Sequence, residues 1–125
     1  MNPFLDLTRA QFEAFKEWPI DGAFQMLNLL KFKETVEGSE LSGRAQYRKY
    51  MEAASPFITQ ANGKVLFYGR PLLTLIGPTE LEWDKVLIVE YASKSDFIGM
   101  ITKPGYPAHL RKAALEDSRL ILCQP

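Results

Sequence analysis

The chain has 125 residues, of which 46% are apolar, with fifteen basic and fifteen acidic side chains that cancel; this suits one globular domain with its own core and excludes a disordered segment. Neither sign of charge forms a block, so there is no electrostatic footprint for nucleic acid or an anionic membrane, and the longest apolar runs are far too short to span a bilayer. Cys123 is the only cysteine, which rules out an intrachain disulfide framework; with no signal peptide, the expected setting is a reducing cytoplasm.

In chain order, Thr8 and Gln11 have capping-box spacing, and Phe12, Phe15 and Trp18 follow in a short amphipathic helix that Pro19 helps to end. This helix forms an N-terminal extension over residues 1–20. Gly22 to Lys33 predicts a first strand with Phe24, Met26, Leu30 and Phe32 on one face and Leu27 and Leu29 on the other. A polar loop leads to Ser42, which caps a helix with Tyr47, Tyr50, Met51, Ala54 and Phe57 toward the sheet. Pro56 is expected to kink or interrupt it near Ser55, and Asn62-Gly63 to stop it.

Lys64 to Ile76 predicts a long strand bent at Gly69 and Pro71, with Pro71 marking a sheet edge. Trp83 to Tyr91 predicts a central strand, with Leu87, Val89 and Tyr91 on one face and Val86 and Ile88 on the other. Ser93 and Asp96 open a short helix, a second helical piece spans Pro107 to Glu116, and Ser118 to Cys123 is the last strand. After the first helix the order βαββαβ implies an α+β, ferredoxin-like antiparallel sheet with helices on one face and the first and third strands central. Residues 1–125 then form a single domain. Both central strands are apolar on both sides, so the helix-free face needs a cover, and a homodimer supplies one.

The residues that carry a family resemblance are Met26 to Phe32, Tyr47 with Tyr50, Gly63-Lys64-Val65 leading to Tyr68-Gly69-Arg70, Ile76-Gly77-Pro78, Trp83 to Val86, Glu90 to Ser93, Tyr106, Arg111 and Ala113 to Leu120. In this order they resemble the family catalogued as domain of unknown function 1330, within the dimeric α/β-barrel superfamily. Ala92 stands where many relatives have proline. The resemblance implies a ferredoxin-like dimer. The wider superfamily includes cofactor-independent monooxygenases, haem-binding enzymes and lactone isomerases, among which fold does not choose.

Asn28 is a polar side chain within an apolar strand face, so burial requires a partner, a water or a ligand; a structural amide and a site amide both meet that need. Glu90 poses the same question on the other central strand, as a carboxylate suited to acid/base work or a strand-end ion pair. Tyr47, Tyr68 and Trp83 are either core or the walls of a pocket for a flat ligand. His109, the only histidine, is either a surface imidazole or a proton-transfer group. Arg111, like Arg70 and Arg119, either clamps an anionic ligand or ends in an ion pair.

One His and one Cys cannot build the usual zinc site, and nucleotide-loop and nucleophile-elbow patterns are missing, so no metal or cofactor is expected. Two functions remain. One is a metal-free, cofactor-independent enzyme of monooxygenase or isomerase type acting on a small apolar or aromatic metabolite. In it Asn28, His109 and Glu90 do the chemistry, while Tyr47, Tyr68, Trp83 and Arg111 hold the ligand between helices and sheet. The other is a non-catalytic dimeric ligand-binding or structural module.

Overall fold

A computed structural model describes residues 3–125. Helix α1 (Arg9–Glu17) is capped by Thr8, whose side chain accepts from the Gln11 backbone N–H, and ends at Trp18 before Pro19. Strand β1 (Phe24–Phe32) buries alternate residues, Phe24, Met26, Asn28, Leu30 and Phe32, as the period of two requires. Helix α2 (Gly43–Gln60) is capped by Ser42. It closes through Asn62, whose φ of 55° is the left-handed turn that ends many helices.

Helix α2 runs through Pro56 as one element, against the expected interruption. Glu52, Ser55 and Pro56 are all exposed, so water can serve the carbonyl that Pro56 leaves unpaired. Tyr47, Tyr50, Ala54 and Ile58 are buried, while Met51 and Phe57 are half-buried.

Strand β2 (Gly63–Gly69) is shorter than expected: it stops before Pro71, and Leu72 to Ile76 lie outside the sheet with Leu75 and Ile76 almost wholly exposed. Strand β3 (Lys85–Tyr91) starts two residues later than expected, leaving Trp83 outside it. Helix α3 (Lys94–Ile101) is capped by Ser93, and helix α4 (Ala108–Ala114) ends early enough for β4 to span Leu115–Cys123. The earlier start of β4 follows from its ladder with β1, which reaches Leu115 opposite Phe32 past a register shift at Lys31/Phe32.

The strand order is β2-β3-β1-β4, and β1 pairs antiparallel with both β3 and β4. Cross-strand partners share a face, so the register puts Met26 with Val89 and Leu122, and Asn28 with Leu87 and Leu120, on the helix-covered side. Gln25, Leu27 and Leu29, with their partners Glu90, Ile88 and Val86, lie on the opposite side. Two aromatic groups fasten the layers. Phe24, Tyr91, Phe97 and Phe15 tie α1 and α3 to the sheet, and Phe32, Tyr47, Tyr50, Tyr106 and Phe57 run along α2. Gly43 lets α2 begin against the ends of β1 and α4, because a Cβ there would collide with backbone atoms of Lys33 and Ala114.

Candidate functional site between sheet and helices

Between the sheet and the helical layer lies a cavity of about 950 Å³, bordered on one side by the N-terminal segment and α1. Met26 from β1, Leu87 and Val89 from β3, and Met51 and Ile58 from α2 supply apolar walls. Asn28, Tyr47, Tyr50, Tyr106 and Arg111 also line it and bring polar atoms into the same space.

The β1 period aims Asn28 inward, where its amide donates to the Leu87 carbonyl at 3.3 Å and its Oδ1 accepts from Arg111 Nη2 at 3.2 Å. A buried amide that serves both a strand carbonyl and a guanidinium has its desolvation offset. Tyr47 is fully buried, yet among the described residues its hydroxyl has no hydrogen-bond partner. Burial pushes its pKa up to about 12, and the positive charge of Arg111 holds it back from rising further. Tyr50 and Tyr106 share a hydroxyl contact of 2.5 Å, and burial raises the pKa of both phenols, that of Tyr50 strongly.

Charge around the cavity is mostly settled in pairs. Asp6 meets Lys112 at 2.9 Å and Arg119 meets Asp117 at 2.9 Å. Arg111 belongs to no ion pair among the described residues; the side chains it acts on there are neutral, Asn28 and the Tyr47 phenol.

The structure therefore brings together Asn28, Tyr47 and Arg111 and separates the other four candidates. Glu90 is on the opposite sheet face from Asn28, where it accepts from Gln25 Nε2 at 2.9 Å, so the two do not share a cavity. His109 is exposed on α4 and does not line the cavity. Tyr68 sits on edge strand β2, 39% exposed, with Lys85 Nζ 4.3 Å from its ring centre. Trp83 stacks instead with Arg119, whose guanidinium lies 5.1 Å from the indole and 4.8 Å from the Phe4 ring. Arg119 thus meets the ion-pair fate, while Arg70 is exposed at the end of β2. Cys123 is half-buried at the end of edge strand β4. The sequence reading left Tyr106 out of the site; it lies in the loop between α3 and α4, where no periodicity predicts its direction.

Comparison with solved structures decides the kinship. The methylated RPA0582 protein is 37% identical to this chain, with a TM-score of 0.91 over 100% of this chain and 96% of that one. This chain belongs to the RPA0582 family. A second structure, of the RPA0582 protein of unknown function from Rhodopseudomonas palustris, gives 36% identity and a TM-score of 0.90 over 99% of this chain and 98% of that one. The ferredoxin-like fold is shared more distantly with a dabb family protein from Mesorhizobium loti at 16% identity and a TM-score of 0.51, covering 84% of this chain and 98% of that one. It is also shared with a dimeric ferredoxin-like protein of unknown function from Thermobifida fusca at 16% identity and a TM-score of 0.52, covering 87% and 96%. No family model and no curated protein matches the chain.

Proposed function

We propose that this chain is a homodimeric small-molecule-binding protein whose cavity takes a compact apolar or aromatic metabolite. The observation that carries the reading is the cavity itself: about 950 Å³, walled by Met26, Leu87 and Val89, with Asn28, Tyr47 and Arg111 converging within it. Pockets for small ligands have this size and this make-up, mostly apolar with a few convergent polar groups. A cofactor-independent monooxygenase or isomerase would need a proton-transfer group beside the ligand, and neither His109 nor Glu90 has that position. The Tyr47 phenol, with a pKa near 12, is a donor at neutral pH and a poor base, so binding and orientation are the roles the residues support best.

The dimer part of the proposal rests on Leu27, Leu29, Val86 and Ile88, an apolar row on the sheet face that no helix covers. The Thermobifida fusca protein with this fold is described as dimeric. The ordered segments from Met26 to Leu120 support, on this reading, membership of the domain of unknown function 1330 family.

A thermal-shift screen of small apolar and aromatic compounds tests the binding reading, since a ligand at about 100 times its Kd stabilises the fold by roughly 2.7 kcal/mol. Compounds that raise the melting temperature of the natural chain and not of Leu87→Trp, which fills the cavity, are the expected result. Shifts that survive Leu87→Trp, or a screen without shifts, overturn it.

A further inference from the structure

We infer that the ligand of this cavity is a monocarboxylate, held by its charged end against Arg111 and Tyr47. The inference rests on the binding role proposed for the cavity and names the chemical class that the cavity selects.

Its first support is the charge balance. Three charged residues line the cavity, Asp6, Arg111 and Arg119. Asp6 is neutralised by Lys112 and Arg119 by Asp117, which leaves Arg111 as the one cavity cation without a carboxylate among the described residues. A guanidinium presents five N–H donors in a planar fork; Asn28 Oδ1 accepts from one of them and the Tyr47 phenol oxygen is close enough to draw on another, which leaves donors for a ligand.

The second support is the phenol beside that guanidinium. Tyr47 is 0% exposed, lines the cavity, and has a hydroxyl with no hydrogen-bond partner among the described residues. Arg111 can only donate to the phenol oxygen, so the buried O–H proton still lacks an acceptor, and an acceptor arriving with the ligand accounts for it. A carboxylate accepts hydrogen bonds through two oxygens, one suited to the Arg111 fork and one to a phenol O–H. Phosphate fits less well: it brings up to two negative charges and three acceptor oxygens, against one unpaired guanidinium in a cavity whose other walls are Met26, Leu87 and Val89. Those walls assign the rest of the ligand to an aromatic or aliphatic body.

The test is isothermal titration of the full-length protein with paired probes at pH 7: benzoate, phenylacetate, 2-naphthoate and decanoate, each beside its primary amide. At least one acid is expected to bind tenfold or more tightly than its amide. Asn28→Asp sets a carboxylate against Arg111 from within the protein at almost no change of shape, and it should abolish that preference. Arg111→Met should do the same, and Arg111→Lys should restore part of it. If the amides bind as tightly as the acids, or the acid preference survives Asn28→Asp and Arg111→Met alike, the carboxylate inference falls while the cavity keeps its binding role. If no acid and no amide binds, both fall. The acid-to-amide comparison on the natural chain needs no variant, so a poorly folded Arg111→Met leaves the inference open to refutation.

Discussion

Asn28 Oδ1 and Arg111 Nη2 lie 3.2 Å apart, joining the central strand β1 to helix α4 across 83 positions of sequence. The amide holds the guanidinium at the cavity without cancelling its charge, a combination that neither an apolar residue nor an acid at position 28 would give. Replacing Asn28 by Leu removes the acceptor and leaves Arg111 without it, so the fold should lose about 1–3 kcal/mol. Urea unfolding followed by circular dichroism measures this, and a loss near zero would show that Arg111 readily finds another partner.

Tyr47→Phe should act in the opposite sense. It removes a buried hydroxyl that has no partner, so the ligand-free protein should be unchanged or more stable by roughly 1 kcal/mol. Tyr50→Phe breaks a hydroxyl pair with Tyr106 and should cost about 0.5–1.5 kcal/mol. Melting temperatures of the two variants side by side decide the point, and destabilisation by Tyr47→Phe equal to that of Tyr50→Phe would contradict it.

The tyrosines also set the behaviour in alkali. Burial raises the phenol pKa of Tyr47 to about 12 from an ordinary 10.0, and it raises those of Tyr50, Tyr91 and Tyr106 as well. Above pH 10 the unfolded chain releases these protons while the folded chain retains them, so the unfolded state binds fewer protons and stability falls as pH rises. The contribution of Tyr47 is intact below about pH 10 and is lost between about pH 10 and 12. Tyrosinate absorbance at 295 nm should therefore appear together with the loss of far-ultraviolet ellipticity. Ionisation of four tyrosines near pH 10 in a protein that keeps its fold would refute this.

Gly43 and Gly99 form a matched pair for the packing argument. A Cβ at Gly43 meets backbone atoms of Lys33 and Ala114, which cannot move aside as a side-chain tip can, so Gly43→Ala should cost about 1–3 kcal/mol or more. Gly99 is exposed within α3 with nothing near its Cβ position, and Gly99→Ala should stabilise the fold by roughly 0.5–1 kcal/mol. Equal effects of the two substitutions in chemical denaturation would mean that the approach of α2 to β1 is looser than described.

On the uncovered sheet face, Leu27 and Ile88 are cross-strand partners in the middle of the apolar row. Ile88→Lys places a charge in the proposed interface and should shift sedimentation from dimer to monomer at micromolar concentration, with the helices retained by circular dichroism. A natural chain that sediments as a monomer under the same conditions would remove the proposed dimer.

The order of elements, the two central strands and the helix caps at Thr8, Ser42 and Ser93 were legible in the sequence, because strand period and capping depend on neighbours a few positions away. Asn28 was legible as a polar residue on an apolar strand face for the same reason. Its separation from Glu90 was not. Both central strands are apolar on both sides, so alternation sorts residues into two faces within each strand and cannot say which face of β1 matches which face of β3; the pairing of Asn28 with Leu87, and of Gln25 with Glu90, settles that. The end of β2 at Gly69 and the passage of α2 through Pro56 were set by which backbone groups found partners or water. Arg111 and Tyr106 come from a short helix and a loop, whose side-chain directions no periodicity carries. Only packing of α4 against α2 and the sheet decided that a guanidinium would stand beside Asn28 and an unpartnered phenol, because that meeting depends on contacts between residues more than 60 positions apart.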